Sequence, residues 1–247
     1  MLRFYPTTWR GFGLKSNQWQ AWAMEAQEEY SNSIRTYKLR GARITHSQEA
    51  AIERHWQRFG VEIGDEAIDL HTLFPELNHV VLEIGTGMGE ATAEMAAADP
   101  TIGIVALEIH RPGIGSLLWR IDQAGVENVR IIHDDVMLVL PEKILDGSID
   151  EIRIYFPDPW PKLRHHKRRL LQGDFLNLLA KKLRTGGLLH IATDWQPYAD
   201  WIAERLELVP EFSGGVVPRP ANRTFTRFEK QGLDKEHQVT DFHYFKK

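Results

Sequence analysis

Residues 156–169 read FPDPWPKLRHHKRR and begin with a single carboxylate among prolines. Prolines at positions 157, 159 and 161 surround Asp158. Because proline fixes φ and removes a backbone donor, this loop should be stiff. A stiff carboxylate can accept a pair of N–H groups, and one edge of guanine offers such a pair in its ring N–H and exocyclic amine. Trp160 offers a wall or stacking surface for the same base.

The second half of this stretch is a block of positive charge. Five cations and two histidines fall within eight residues: Lys162, Arg164, His165, His166, Lys167, Arg168 and Arg169. That density is typical of a phosphate-binding patch, although a solvated helix start is the alternative. Neighbouring histidines rarely converge on one ion, so we expect no metal site. In this interpretation Asp158 reads a base while the basic block contacts the nucleic-acid backbone.

A glycine-rich loop supplies a second kind of chemistry. The segment LEIGTGMGE places Gly85, Gly87 and Gly89 between a predicted strand and a predicted helix. Glu108 follows about 20 residues later, where an acid can bind two ribose hydroxyls. The spacing differs from that of dinucleotide enzymes, and Glu83 just before the loop disfavours a pyrophosphate. S-adenosyl-L-methionine has a ribose, a cationic amino-acid end and no phosphate, so the pattern favours it over a turn that needs glycine only for packing.

Alternating strands and helices must position these residues. Strands are predicted at 80–85, 103–110, 129–134, 149–159 and 188–195, with a further alternating segment at 237–245. Helices are predicted at 45–60, 90–98, 112–124, 174–183 and 198–206, with a short helix that ends at 145. Gly186 and Gly187 are predicted to end the helix at 174–183. Thr45 and Gln48 have the spacing of a capping box. The pattern predicts an α/β fold, a doubly wound and mostly parallel sheet covered by helices on both faces, with Asp158 at a strand's carboxyl end.

Composition limits the remaining possibilities. The 247 residues are 43% hydrophobic, carry a net charge of −4 and include no cysteine, which excludes disulfides and cysteine nucleophiles. No apolar stretch approaches the roughly 20 residues of a membrane span, and the N-terminus does not resemble a signal peptide. We therefore expect a cytoplasmic protein with no membrane partner. Residues 1–33 read as an N-terminal extension, partly helical over 16–30, and residues 34–247 as the domain.

Several segments together resemble one enzyme family. LEIGTGMGE and ALEIHRPGIG precede FPDPWPKLRHHKRR, and ATDWQPYADW and RTFTRFEKQG follow it. The family has matching segments in the same order. From about residue 33 onward the chain resembles the bacterial tRNA (guanine-N7)-methyltransferases. The resemblance implies the class I methyltransferase fold, S-adenosyl-L-methionine as cofactor, and methylation of the guanine at position 46 in the tRNA variable loop. It also implies tRNA as partner, no obligatory protein partner, and a monomer or homodimer.

The resemblance also assigns roles to individual residues. Asp158 matches the catalytic position, and Glu83, Glu108 and Asp135 match cofactor positions, with Asp134 as the alternative to Asp135. Substrate-contacting positions are Lys162, Asp194, Thr226, Arg227, Phe228 and Glu229, although Asp194 could instead cap the next helix. Residues 164–169 match the RNA-contacting stretch. Pro161 stands where many members have histidine, which argues against a chemical role at that position.

Three other functions compete with this interpretation. An amino-group methyltransferase carries Asp/Asn-Pro-Pro-aromatic after the same strand, whereas Asp158 and Trp160 here are separated by one proline. A nicotinamide-dependent dehydrogenase would use the glycine loop and Glu108. A non-catalytic RNA-binding protein would not need the cofactor loop. For the favoured function, guanine N7 has an exposed lone pair and needs no deprotonation, so we expect catalysis by positioning.

Overall fold

The computed structural model describes residues 36–37, 43–224, 229 and 238–247. The strands are β1 (Val80–Ile84), β2 (Gly103–Leu107), β3 (Val129–Ile132), β4 (Ile149–Tyr155), β5 (Leu183–Thr193), β6 (Phe212–Val217) and β7 (Thr240–Lys246). They form a seven-stranded sheet in the order β3-β2-β1-β4-β5-β7-β6. Strands β1 to β5 pair in parallel, and β7 runs antiparallel to both β5 and β6. The predicted mostly parallel α/β fold is confirmed.

The helices lie between the strands. They are α1 (His46–Phe59), α2 (Glu90–Ala98), α3 (Arg111–Ala124), α4 (Val136–Lys143), α5 (Gly173–Lys182) and α6 (Gln196–Leu206), with 3₁₀ turns at Leu70–Leu73 and Leu163–Arg168. The predicted capping box of α1 is confirmed, because the Gln48 N–H donates to Thr45 Oγ1 and the Thr45 N–H donates to Gln48 Oε1. Each reciprocal bond satisfies a backbone donor that the helix itself leaves unpaired.

Each central strand buries both of its faces. Val80, Leu82 and Ile84 of β1 pack in the cluster that includes residues of α4, α5 and α6. Val81 packs on the opposite face with residues of α1, α2 and α3. Because helices cover both faces, these strands read as continuous apolar runs and not as alternating ones. The chain proceeds from β1 outward to β3 and then returns to β4, so the strand order reverses between β1 and β4.

The structure differs from the sequence-based prediction at the antiparallel end of the sheet. Gly186 and Gly187 do not end a helix: α5 ends at Lys182, and both glycines lie inside β5. Strand β6 was not predicted, because FSGGVV interrupts its apolar residues with two glycines. The predicted last strand is present as β7, inserted between β5 and β6. The helix expected over residues 16–30 lies outside the described residues.

Candidate active site

A cavity of about 460 Å³ opens where β1, β2, β3 and β4 end. It lies beside the reversal of strand order, the place where open parallel sheets bind ligands. The structure brings to its wall most of the residues predicted for the cofactor, together with the predicted catalytic carboxylate: Glu83, Gly85, Gly87, Glu108, Asp134, Asp135 and Asp158. Residues far apart in the sequence therefore share one cavity.

The loop after β1 depends on glycine for its conformation. Gly85 and Gly87 have φ angles of 78° and 60°, in the left-handed region that side chains disfavour. A Cβ added at either position would meet no atom within 4 Å, so the backbone lies bare against the cavity. Gly89 is behind this wall, where an added Cβ would approach Leu117 Cβ to 2.6 Å. Gly89 therefore packs the loop against α3.

Glu108 fixes the loop to the end of β2. Its Oε2 accepts the Gly87 N–H at 2.7 Å, and its Oε1 accepts the N–H groups of Ile109 and His110, each at 2.8 Å. Three backbone donors hold this carboxylate in one orientation at the cavity wall. A preoriented carboxylate is a suitable acceptor for a diol such as that of ribose.

Glu83 is a buried acid at the floor of the cavity, only 4% exposed. Burial raises the pKa of Glu83 to about 7, and the nearby Arg153 guanidinium opposes part of that rise. Thr92 Oγ1 donates to its Oε1 at 3.0 Å, while its Oε2 has no hydrogen-bond partner among the described residues. A buried acid that lines a cavity and has one oxygen without a partner fits a cationic ligand. The site thus matches the ammonium end of S-adenosyl-L-methionine.

The two candidate acids after β3 differ in their surroundings. Asp135 is buried and caps α4, since its Oδ1 accepts the Met137 N–H at 2.9 Å. Asp134 is exposed, and its Oδ1 accepts the N–H of Asp135 at 2.7 Å. Both residues line the cavity. The carboxylate of Asp135 is the more rigidly held, which favours it as a specific contact.

The proline loop after β4 is stiff for a further reason. Phe156 and Trp160 on either side of Asp158 have φ angles of 51° and 43°, a rare conformation for aromatic residues. The Phe156 N–H extends the sheet pairing by donating to the Ala192 carbonyl at 2.8 Å. Asp158 itself is partly exposed at the cavity wall. The loop thus holds one carboxylate beyond the carboxyl end of β4, on a strained backbone of the kind found in functional loops.

Trp160 does not present an open stacking surface. Its indole is 6% exposed and donates from Nε1 to the Thr36 carbonyl at 3.0 Å. The Arg168 guanidinium lies 3.8 Å from the ring centroid, and the His165 ring meets the indole edge-on. The predicted stacking role of Trp160 is therefore wrong in this arrangement. Its indole instead fastens the proline loop to the basic stretch.

The basic stretch forms a short 3₁₀ turn that separates its cations into two groups. Lys162, Arg164 and Lys167 are exposed. Arg169 is 2% exposed, whereas the RNA contact predicted for it requires an exposed side chain. Its guanidinium lies over aromatic rings of α6. A planar guanidinium is weakly hydrated and stacks on aromatic faces, which favours its burial there.

Two predicted substrate-contacting residues, Asp194 and Glu229, differ in exposure. Asp194 directly follows β5, the neighbour of β4, and is partly exposed. Trp195, the next residue, occupies the N-cap position of α6 and makes no side-chain cap bond. Glu229 is 1% exposed. Thr226, Arg227 and Phe228 lie outside the described residues.

Glu229 belongs to a buried ion cluster. Arg223 donates from Nη1 and Nη2 to the two carboxylate oxygens of Glu229, at 2.7 and 2.9 Å. Its Nε and Nη2 also pair with Asp241 on β7, at 2.7 and 3.0 Å. Two carboxylates compensate one buried guanidinium. Burial alone would lower the pKa of Arg223, but the hydrogen bonds and charges of Glu229 and Asp241 outweigh it and raise that pKa. The cluster connects the segment before β7 to the sheet.

Sequence analysis missed the continuation of this cluster across the sheet. His190 on β5 bonds Asp241 Oδ1 through Nε2 and the Tyr155 hydroxyl through Nδ1, each at 2.9 Å. Arg153 on β4 pairs with Glu151 at 2.6 Å. The available signal was a charged residue within an apolar strand, as in IDEIRIY and LLHIAT. Such residues are rarely buried unless they are paired.

The described part of the chain contains neither a candidate membrane span nor a candidate metal site. No helix there is long and apolar enough to cross a membrane. No group of three or more His, Asp or Glu side chains in those residues is arranged to hold a metal ion.

Solved structures share this fold. The chain matches the 16S rRNA methyltransferase KamB with a TM-score of 0.56 and 18% identity, covering 77% of this chain and 99% of that one. It matches the 16S rRNA (adenine(1408)-N(1))-methyltransferase from Catenulisporales acidiphilia with a TM-score of 0.51 and 16% identity, covering 75% and 98%. At these identities the likeness establishes the class I methyltransferase fold alone.

Sequence relatives are much more similar. A family model described as "Putative methyltransferase" matches residues 77–242. A tRNA (guanine-N(7)-)-methyltransferase of Streptomyces avermitilis is 49% identical over 221 residues, which are 87% of this chain and 76% of that protein. One from Idiomarina loihiensis is 43% identical over 224 residues, 89% and 91% of the two chains. Together with the cavity and its acids, these matches show that the chain belongs to the tRNA (guanine-N7)-methyltransferase family.

Proposed function

We propose that this chain transfers a methyl group from S-adenosyl-L-methionine to N7 of a guanine in tRNA, at position 46 of the variable loop. One observation carries the proposal. The carboxylate of Asp158, on a rigid proline loop, lines the same cavity as the bare glycine backbone and the buried acid Glu83. A base-reading group and a site for a cationic nucleoside therefore lie within one cavity, in a chain whose family is defined by this reaction.

The cofactor side of the cavity would hold each part of S-adenosyl-L-methionine with a different group. Gly85 and Gly87 let the backbone approach the ligand, because no side chain intervenes. Glu108 would accept the ribose hydroxyls, and Asp135 would contribute a second carboxylate held by the backbone. Glu83 compensates positive charge at the floor. When bound, the cofactor supplies an electrophilic methyl group carried on a cationic sulfur.

Asp158 acts on the guanine by orienting it. Its carboxylate accepts the ring N–H and the exocyclic amine, which points the opposite N7 edge toward the cofactor side. Because N7 has an exposed lone pair, no general base or covalent nucleophile is required, and positioning supplies the rate enhancement. Methylation leaves positive charge on the base, which a nearby carboxylate stabilises electrostatically.

The rest of the substrate is contacted from the surface around the proline loop. Lys162 and Asp194, with Thr226, Arg227 and Phe228, are the substrate-contacting set of the proposal, whereas Glu229 is buried against Arg223 and would hold this segment in place. Arg164, His165, His166, Lys167 and Arg168 contact the tRNA backbone, and their charge makes binding salt-dependent. We expect the guanine to leave its stack before reaching the cavity.

The proposal extends to the organisation of the protein. Residues 34–247 make up the methyltransferase domain and residues 1–33 an extension. We expect the reaction in the cytoplasm, by a monomer or homodimer without an obligatory protein partner.

The test is methyl transfer from labelled S-adenosyl-L-methionine to unmodified tRNA, followed by aniline treatment, which cleaves the chain at 7-methylguanine. We expect label incorporation and scission at one guanine of the variable loop. A tRNA in which that guanine is replaced by adenine is the matched control and should accept no label. Label without scission would overturn the N7 assignment and favour amino-group methylation. Absence of transfer by the intact chain would overturn the proposal as a whole.

A further inference from the structure

Arg169 ends the basic stretch, yet its side chain packs against the proline loop and α6. Its Nε donates to the Pro159 carbonyl at 3.0 Å. Its guanidinium carbon lies 4.9 Å from the ring centroid of Tyr198 and 5.0 Å from that of Trp201, both on α6. One Nη is 3.1 Å from His166 Nε2. These contacts use the planar shape of the guanidinium, which a lysine cannot reproduce.

The accepting carbonyl belongs to the residue that follows Asp158. Proline has no N–H, so the Pro159 carbonyl is its only backbone group that can hold the loop to the rest of the protein. The neighbouring Trp160 is in the left-handed region, so the loop needs such contacts to keep its shape. Arg169 thus joins the loop that carries Asp158 to the helix that follows Asp194.

The exposed cations of the same stretch provide the contrast. Arg164 and Lys167 are exposed on the 3₁₀ turn, whereas Arg169 is 2% exposed. Burial lowers the pKa of Arg169, and the Tyr198 hydroxyl opposes part of that shift. A phosphate oxygen that bonded Arg169 through Nε or Nη2 would have to replace the Pro159 or His166 contact.

We propose that Arg169 is a positioning residue for methyl transfer, which fixes the Asp158 loop against α6 and does not contact tRNA phosphates. The inference rests on the proposed function, because it assigns to Arg169 the geometry that Asp158 needs in that reaction. Misplacement of a reacting group by about 1 Å can slow a reaction by up to about 100-fold. Arg169 therefore acts on the rate of the bound complex, and the exposed cations act on its formation.

Replacement of Arg169 by lysine separates the two roles, because it keeps the charge and removes the planar group. For Arg169→Lys we expect a single-turnover methyl-transfer rate at saturating tRNA at least about tenfold below wild type. The dissociation constant for tRNA and its salt dependence should stay at wild-type values. Lys167→Ala should instead reduce the slope of log affinity against log salt by about one. Arg205→Lys is the matched control, since Arg205 also lies over the Trp201 ring, at 5.0 Å, and should leave the rate unchanged.

Two results would overturn the inference. One is a wild-type rate for Arg169→Lys. The other is a salt slope reduced by about one for Arg169→Ala with an unchanged rate at saturation. If both Arg169 variants fail to fold, as judged by thermal melting, Trp201→Leu provides the test: it removes one supporting ring and should lower the same rate without changing the salt slope, and an unchanged rate would count against the proposal. The wild-type enzyme is tested first. If its product gives no aniline scission, the proposed function fails, and the variants are not compared.

Discussion

The loops after β1 and β4 lie side by side, because these strands pair directly, yet they reach left-handed backbone conformations by opposite means. The loop after β1 uses Gly85 and Gly87, with no side chain on either. The loop after β4 uses Phe156 and Trp160, bulky residues for which this conformation costs roughly 1–3 kcal/mol each. The left-handed conformation is therefore unstrained in the loop after β1 and strained in the loop after β4.

The difference corresponds to what each wall of the cavity must provide. A cofactor that lies against bare backbone requires side chains to be missing, which glycine achieves. A carboxylate that selects one base must instead be held in place, and buried side chains such as Trp160 supply the contacts that maintain the strained loop. We infer that substitutions which add a side chain to the glycine loop impair cofactor binding, whereas substitutions which remove side-chain contacts from the proline loop impair substrate positioning.

The largest effect should follow from Asp158→Ala. Removal of the base-orienting carboxylate should lower the single-turnover rate by at least about 100-fold, a typical loss for one preorganised electrostatic group. Cofactor affinity, measured by calorimetry, and the melting temperature should be unchanged because Asp158 is partly exposed and lies outside the core. A rate within a few-fold of wild type would contradict the catalytic assignment.

Gly87→Ala tests the cofactor wall. An added Cβ at position 87 extends into the space beside the cofactor wall, where no protein atom lies within 4 Å. Relief of the left-handed strain, about 1–2 kcal/mol, moves the loop out of its binding conformation, so we expect cofactor affinity to fall by about 5- to 30-fold. Gly125→Ala is the matched control: Gly125 has a φ of 63°, also has no atom within 4 Å of an added Cβ, and lies at the end of α3 outside the cavity. The control should lower the melting temperature and leave affinity unchanged. Equal affinity losses in the two variants would show that strain alone, without its location, is responsible.

Cofactor affinity should also depend on pH through Glu83. Burial raises the pKa of Glu83 to about 7, so its carboxyl is mostly protonated at pH 6 and mostly ionised at pH 8. If the ionised form binds the cationic ligand, affinity should be about tenfold weaker at pH 6 than at pH 8. In Glu83→Gln the dependence should disappear. A pH dependence that persists in that variant would assign it to another group.

The same shift has a consequence for stability, with the sign determined by proton binding. Between the ordinary glutamate pKa of 4.5 and about 7, the folded protein without cofactor retains a proton on Glu83 that the unfolded chain has lost. The contribution of Glu83 to the free energy of unfolding therefore falls as pH rises through this window. Glu83→Gln should remove that fall, which denaturant titrations at several pH values would measure.

The smallest effect is expected from Trp160→Phe. This change removes the bond from Nε1 to the Thr36 carbonyl and keeps a ring beneath Arg168. Loss of one hydrogen bond, worth about 0.5–1.5 kcal/mol, should lower the single-turnover rate about threefold. Cofactor affinity should not change, because the glycine loop is untouched. A rate loss as large as that of Asp158→Ala would mean that Trp160 itself meets the substrate.

The parallel part of the fold was predictable because its strands are buried on both faces and separated by well-marked helices. The glycine and proline loops were predictable for the same reason, since each directly follows such a strand. Strand β6 was not, because two glycines interrupt its pattern. The burial of Arg169, predicted as an RNA contact, was not predictable, since a sequence shows where a charge is but not on which side of the backbone it lies.

The ion cluster around Arg223 was beyond sequence reasoning for another reason. Its partners are far apart in the chain: Asp241 is on β7, and His190, which bonds Asp241, is on β5. Only the topology of the sheet brings them together. Charged residues within an apolar run indicate that partners exist, but not which residues they are.

The position of β7 between β5 and β6 has a consequence for how the protein is made. Strand β6 emerges from the ribosome before β7 but reaches the sheet only by pairing with it. Until residues 240–246 are available, β5 presents an unpaired edge, which is a template for aggregation. Arg223 also lacks its Asp241 partner during that interval. We therefore expect the sheet to close late during synthesis, with the nascent chain most dependent on chaperones just before β7 appears.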